Sequence, residues 1–360
     1  MNMATRLRQV WTIASLELRR VFFSKRSFWV YLLALFPSVI FLGHGIETKI
    51  RRDRWASHVT APAVLERIRE GDTDAAVIER AGKPIDDFTD RRRRGPRQAA
   101  ENAPVRRHMM YFDGRRQWGF DFEAGILQSK WSRSLINFEE DRSIFASVFQ
   151  YFYLRLAVFF GCLGIFMNLF RGEMLDKTLH FWFLAPARRE VLLAGKYLAG
   201  LAAATLIFSG GAALCFGIVL WPNDPAEVDA FWKAQGFSHL FWYAASAALG
   251  CVGYGSVFLA AGLLLRNPIL PAIAILFWES INGILPDMLQ KVSILYYVQS
   301  LAPVPAPMDP HAPLLFRLLF APAEPPSTAA AMFGLLGVTA VVLWAAARAV
   351  RRLEINYAND

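Results

Sequence analysis

An all-α polytopic membrane protein is the fold class this sequence predicts, and three observations predict it. Six apolar stretches, 27–46, 148–170, 191–220, 239–265, 268–289 and 328–350, are each long enough for a crossing, which takes about 20 mostly apolar residues. The chain is 55% hydrophobic and 14% aromatic yet carries a formal charge of +9, a balance that suits apolar spans joined by charged loops. Lys and Arg are also unevenly shared between alternate short loops. One side has Arg6, Arg8, Arg19, Arg20, Lys25, Arg26, Arg171, Lys177, Arg188, Arg189, Lys196, Arg266, Arg348, Arg351 and Arg352; the other has Lys233, Lys291 and Arg317. By the positive-inside rule both termini are cytoplasmic, in a multi-pass protein of the inner (plasma) membrane.

Residues 1–26 read as an interfacial helix. Leu7, Val10, Trp11, Ile13, Ala14, Leu16 and Leu18 recur at helical spacing among Arg6, Arg8, Arg19 and Arg20, a pattern suited to lying along a lipid surface. A straight cytoplasmic extension of the first span is the alternative. That span, 27–46, is expected to be retained, because Pro37 lies inside it and no small-residue cleavage site follows.

Residues 47–147 form a mixed α/β insert, expected outside the cytoplasm. The insert is rich in arginine, but loops longer than about 60 residues cross largely regardless of charge. It reads as a helix around 64–68, Gly71, a short strand over 75–78, and a strand pair over 109–122 turning at Asp113-Gly114. Residues 90–102, with Arg91 to Arg94, read as a solvated excursion or a lipid-headgroup contact rather than a nucleic-acid site. The three cysteines, Cys162, Cys215 and Cys251, all fall in spans and read as small packing residues.

The span at 148–170 leads into a cytoplasmic segment, 171–190, that carries the main motif. It holds Arg171-Gly172-Glu173, Thr178-Leu179, the aromatic run His180 to Phe183, Pro186-Ala187-Arg188-Arg189, and then Gly195-Lys196 at the head of the third span. The residues predict one amphipathic helix with Glu173 and Asp176 in its first turn and Pro186 as its stop. Its bulky aromatics suit either a knob for a groove on another protein or the headgroup layer. Spans three to six occupy 191–350, interrupted by a proline-rich outer segment over 290–327, and 351–360 is a cytoplasmic tail. Arg155 and Glu279 lie well inside predicted spans, where a charge is expected to face a partner or a wet cavity.

Together these features resemble the type-2 ATP-binding cassette permease family: Glu, then Thr-Leu about five residues on, Pro-x-Arg, Gly-Lys opening the next span, and the plan of interfacial helix, six spans and large insert. The aromatic run His180 to Phe183 departs from it, since the family more often has smaller residues there. The resemblance implies a transmembrane permease subunit, an exporter, coupled to a separate cytoplasmic ATPase through Glu173, Thr178, Leu179, Phe183, Pro186 and Arg188. It also implies a second permease copy or paralogue as partner.

The chain itself is then expected to be no enzyme and to hold no cofactor, ATP being bound by the partner. No Gly-x-x-x-x-Gly-Lys-[Ser/Thr] phosphate loop occurs: Gly82-Lys83 and Gly195-Lys196 have Val77 and Glu190 where the first Gly is required. A non-transporting membrane scaffold of the same fold is the alternative. An intramembrane hydrolase is disfavoured, because no two of the six histidines have metal-ligand spacing and Ser256 lacks the flanking glycines of a nucleophile elbow. No residue selects among the drugs, lipids, glycans, ions and peptides that such permeases carry.

Overall fold

The computed structural model describes residues 3–23, 27–90, 105–184, 187–265, 269–305 and 325–352. Contacts divide the chain into two units: one contains residues 1–41, 141–219 and 229–360, the other residues 42–140 and 220–228.

The first unit is helical. It begins with α1 (Met3–Phe23) and the start of α2 (Ser27–Trp55). The next long helix is built from α5 (Phe138–Val148), a wide π-type stretch over Phe149–Ala157, and α6 (Val158–Phe166). Two short helices follow, α7 (Asn168–Leu175) and α8 (Leu179–Leu184), and then the 32-residue α9 (Arg189–Leu220). α10 (Pro225–Phe231), whose residues up to 228 belong to the second unit, runs through a second π-type turn into α11 (Phe237–Leu264). α12 (Ile269–Ser280), α13 (Asp287–Gln290), α14 (Ile294–Ser300) and α15 (Thr328–Arg351) complete it.

Among the described residues five helices are long and apolar enough to cross a membrane: Phe28–His58, Phe138–Phe166, Arg189–Leu220, Pro225–Leu264 and Thr328–Arg351. The chain is thus a multi-pass membrane protein by helix length and composition. The fifth predicted span, 268–289, does not form one helix. α12 stops at Ser280 after 12 residues, roughly 18 Å at 1.5 Å per residue, against a hydrocarbon core of about 30 Å. It stops because the Glu279 carboxylate is committed to the N-terminus of α14, and because Pro286 cannot continue a helical ladder. The proline-rich segment around 306–324 lies outside the described residues.

Glycine sets the closest helix approaches. A Cβ on Gly161 would sit 2.0 Å from the Phe208 ring, and one on Gly262 would sit 2.8 Å from the Met167 carbonyl oxygen. Packing at that distance is available only without a side chain. Around these contacts the core is strongly aromatic: Phe145, Phe149, Tyr153, Phe216 and Tyr243 meet edge-on, tilted or offset with centroids 4.8 to 6.0 Å apart.

The second unit contains an antiparallel sheet in the order β1-β2-β3-β4, made of Asp86–Asp90, Arg106–Phe112, Arg116–Glu123 and Ile126–Ser134. α3 (Pro62–Arg67) and α4 (Asp74–Ala81) cover one face. Alternation supplies that face: Met109 and Tyr111 from β2, and Trp118, Phe120 and Phe122 from β3, pack on Leu65, Ile68 and Val77. The predicted helix at 64–68 and the turn at Asp113-Gly114 are present, but 75–78 is helical, not a strand. Thr73 caps that helix by accepting the Ala76 amide and Gly82 closes it at φ +81°. The excursion with Arg91 to Arg94 lies outside the described residues.

Lys130 shows how the unit treats its charges. Its ammonium donates to the carbonyls of Leu65, Glu66 and Ile68 at 2.9 to 3.0 Å, satisfying the C-terminal end of α3. Burial lowers its pKa, with Glu66 opposing. Arg107 bridges Asp74 at 2.7 Å and Asp87 at 2.6 Å. Its hydrogen bond holds the Asp87 carboxyl below the usual range.

Candidate functional site

Gly195 fixes the site. A Cβ there would stand 2.7 Å from Ile13 Cγ2 and 3.2 Å from the Val10 carbonyl oxygen, so the α1 backbone lies directly against α9. One helical turn beyond Ile13 is Glu17, and one residue beyond Gly195 is Lys196. They meet: Lys196 Nζ donates to Glu17 Oε1 at 2.6 Å, with Lys196 fully buried and Glu17 3% exposed. The same ammonium donates to Glu173 Oε1 at 2.8 Å.

Glu173 enters from the second half of α7. α7 ends as Lys177 takes the left-handed conformation at φ +54°, and the Thr178 amide then donates back to the Glu173 carbonyl at 2.9 Å. The reversal brings Trp182 over the node, where its Nε1 donates to Glu173 Oε1 at 2.9 Å. Arg20, from α1, donates to the same oxygen at 3.2 Å. The Lys196 ammonium also lies 5.5 Å from the Phe170 ring centre and 5.2 Å from that of Trp182, within cation–π range. Glu173 Oε2 is buried without a hydrogen-bond partner in the structure.

A cavity of about 100 Å³ adjoins the node, lined by Glu17, Arg20, Asn168, Glu173 and Asp176 among others. Burial pushes the Glu173 carboxyl above its usual range; the nearby Lys196 charge pulls it back in part, and Glu17 adds to the rise. The arrangement joins three elements that meet nowhere in sequence, α1, α7 and α9, through one ammonium. Removing one partner of such a buried group leaves the other charge unpaired.

Of the site residues expected from sequence, all but Pro186 lie among the described residues. Glu173 is 2% exposed, so its side chain points into the protein rather than out to a partner. The single amphipathic helix expected over 171–190 is therefore corrected to two short helices, with Glu173 in the second half of α7 rather than in a first turn. Thr178 uses its amide and hydroxyl on the Glu173 carbonyl, and Leu179 is fully buried. Phe183 is half-buried under the Arg189 guanidinium, 4.5 Å away. Arg188 is exposed, and its carbonyl accepts the Val191 and Leu192 amides that open α9. Pro186 lies outside the described residues. The outward surface here comes from Leu175, Phe181 and Leu184, 61 to 79% exposed.

Arg155 and Glu279 are both buried, at 9% and 3% exposure. Glu279 accepts the Ser293 hydroxyl, the Ile294 amide at 3.0 Å and the Leu295 amide at 3.2 Å, capping α14. Neither Arg155 nor Glu279 touches the Lys196 node.

Sequence reasoning did not single out Glu17, Arg20, Trp182 or Lys196 as site residues. Two signals were present: Glu17 is the one acid in α1, on its buried stripe with Ile13 and Ala14, and Lys196 interrupts an otherwise apolar run. Compared with known proteins, the chain matches no family model and no curated protein.

Proposed function

We propose that this chain is the transmembrane permease subunit of a type-2 ATP-binding cassette transporter, an exporter. It would work with a separate cytoplasmic ATPase that binds the ATP, and with a second permease copy or paralogue. One observation carries the reading: the Glu173–Thr178–Leu179 segment is anchored from behind by Lys196 and Glu17 while Leu175, Phe181 and Leu184 face outward. Force applied to α8 would reach α9 and α1 through a joint of short, charge-assisted hydrogen bonds, which a headgroup-anchored connector would not require.

In this reading α12 completes the fifth crossing together with α13 and α14. Ile294, Leu295, Tyr297 and Val298 of α14 are buried, whereas Ile284, Met288, Leu289 and Val292 in the stretch before it are exposed. The second unit is the insert on the far side, and both termini are cytoplasmic.

Site-directed labelling tests the docking surface. In a cysteine-free background Leu184→Cys should react with an impermeant thiol reagent only from the cytoplasmic side, and the ATPase partner should protect it. Labelling from the opposite side, or labelling unaffected by the partner, would contradict the proposal. A non-transporting scaffold of the same fold would also show protection, but its partner's ATP hydrolysis would not respond to any transported compound.

A further inference from the structure

The second unit holds a cavity of about 400 Å³ whose lining charges do not neutralise one another. Arg52, from the far end of the first long apolar helix, lines it with Arg115, Arg116, Asp224 and Glu227. Among the described residues none of the three guanidiniums takes part in an ion pair or side-chain hydrogen bond with protein. The acids are likewise free of ion pairs there, although Asp224 Oδ1 accepts the Ala226 amide at 3.0 Å.

The turn is built to present these arginines. Gly114 takes φ +96°, a conformation strained for other residues. Asp113 is consumed inside the turn, accepting the Arg115 amide at 2.9 Å, the Arg116 amide at 2.6 Å and Trp118 Nε1 at 2.8 Å. It makes no ion pair with either side chain, although the Arg116 charge helps to hold its carboxyl low.

The depth is also informative. Within this unit Lys49 lies 5.4 Å from the Trp221 ring centre, and Arg51 lies 5.9 Å from that of Trp55. Trp55 is buried against Phe112, but the half-exposed Trp221 beside Lys49 suits the headgroup level of a bilayer. Each of the three guanidiniums lining the cavity offers a planar donor fork suited to phosphate oxygens, and the two lining acids suit an ammonium.

From this we propose that the cavity binds a phosphate ester carrying a primary amine, of the phosphoethanolamine type, with phosphate on Arg52, Arg115 and Arg116 and the amine on Glu227. The ester could arrive as a membrane lipid or as a free solute. This inference does not depend on the transport proposal.

The test uses the full chain in phosphatidylcholine nanodiscs, with retained lipid counted by native mass spectrometry. Phosphatidylethanolamine should be retained about tenfold better than phosphatidylglycerol or phosphatidylcholine. Arg52→Gln/Arg115→Gln/Arg116→Gln should abolish that excess, and Glu227→Gln should erase the preference over phosphatidylglycerol. Arg67→Gln/Arg69→Gln, elsewhere in the same unit, should change neither. If the triple variant is unstable, Arg52→Gln alone should reduce retention in the same direction. Soluble O-phosphoethanolamine that binds and displaces the lipid would identify a free ester as the ligand; retention of lipid without such displacement would identify the lipid. Equal retention of all three lipids with no binding of O-phosphoethanolamine would overturn the proposal, as would undiminished binding of both forms by the arginine variants.

Discussion

Lys196 Nζ lies 2.6 Å from Glu17 Oε1 across 179 residues of sequence, and both side chains are buried. Breaking one member of a buried ionic group costs about 3–5 kcal/mol, because the other is left charged without a partner. Lys196→Met should therefore lower the melting temperature of the purified chain and expose α1 amides to hydrogen exchange. Adding Glu17→Gln and Glu173→Gln should restore most of the loss. A triple variant no better than the single one would mean that the ammonium acts through packing alone.

The pH response of the two units should have opposite sign. Glu173 has a raised carboxyl pKa in the folded protein, so the folded state binds more protons and loses stability as pH rises from its unfolded value of about 4.3 to its folded one. Asp87 is lowered by its Arg107 hydrogen bond, and Asp113 is lowered too: burial opposes its ionisation, but the bonds from Trp118, Arg116 and Arg115 prevail. Their contribution is present above about pH 3.9 and is lost as pH falls through their folded values. Local exchange rates across pH should thus rise with pH in α1, and rise with acid in β2 and β3. Glu173→Gln should flatten only the first trend; an unchanged α1 profile in that variant would contradict the assignment.

Asp113→Ala removes the acceptor of two amides and an indole N–H. Each group left unsatisfied costs about 1–3 kcal/mol where buried, less where water reaches it. The β2–β3 turn should lose exchange protection while α9 and α11 keep theirs. An unaltered turn would show that water replaces the carboxylate at no cost.

Glu279→Ala should destabilise the helical unit, because the Ser293 hydroxyl and the amides of Ile294 and Leu295 lose their shared acceptor. Glu279→Gln, which keeps one acceptor oxygen, should be milder. Equal melting temperatures for the two variants would contradict the capping role.

The long helices were legible because each is a continuous apolar run, and the β2–β3 pair was legible through alternation and Asp113-Gly114. The stretch 75–78 was misread because Ala-Ala-Val-Ile fits either a strand or a buried helix; the Thr73 cap decided it. The run 268–289 looked like a span because composition cannot show that Glu279 turns aside to cap α14. Glu173 was found through its motif, but its inward direction depends on the left-handed Lys177 and the reversal into α8. Long-range partners such as Glu17 and Lys196 share no local pattern, so only packing brings them together.

ATP hydrolysis in material purified from native membranes through a tag on this chain tests the central proposal most directly. The proposal predicts a separate subunit, carrying its own phosphate loop and present in fixed proportion, whose vanadate-sensitive hydrolysis falls at least about fivefold in Leu184→Glu, a loss of roughly 1 kcal/mol or more in coupling. That variant's melting temperature should be unchanged, and the isolated chain should neither bind nor hydrolyse ATP. Stoichiometric ATP binding by the chain alone, or purification of the intact complex without any ATPase, would contradict it.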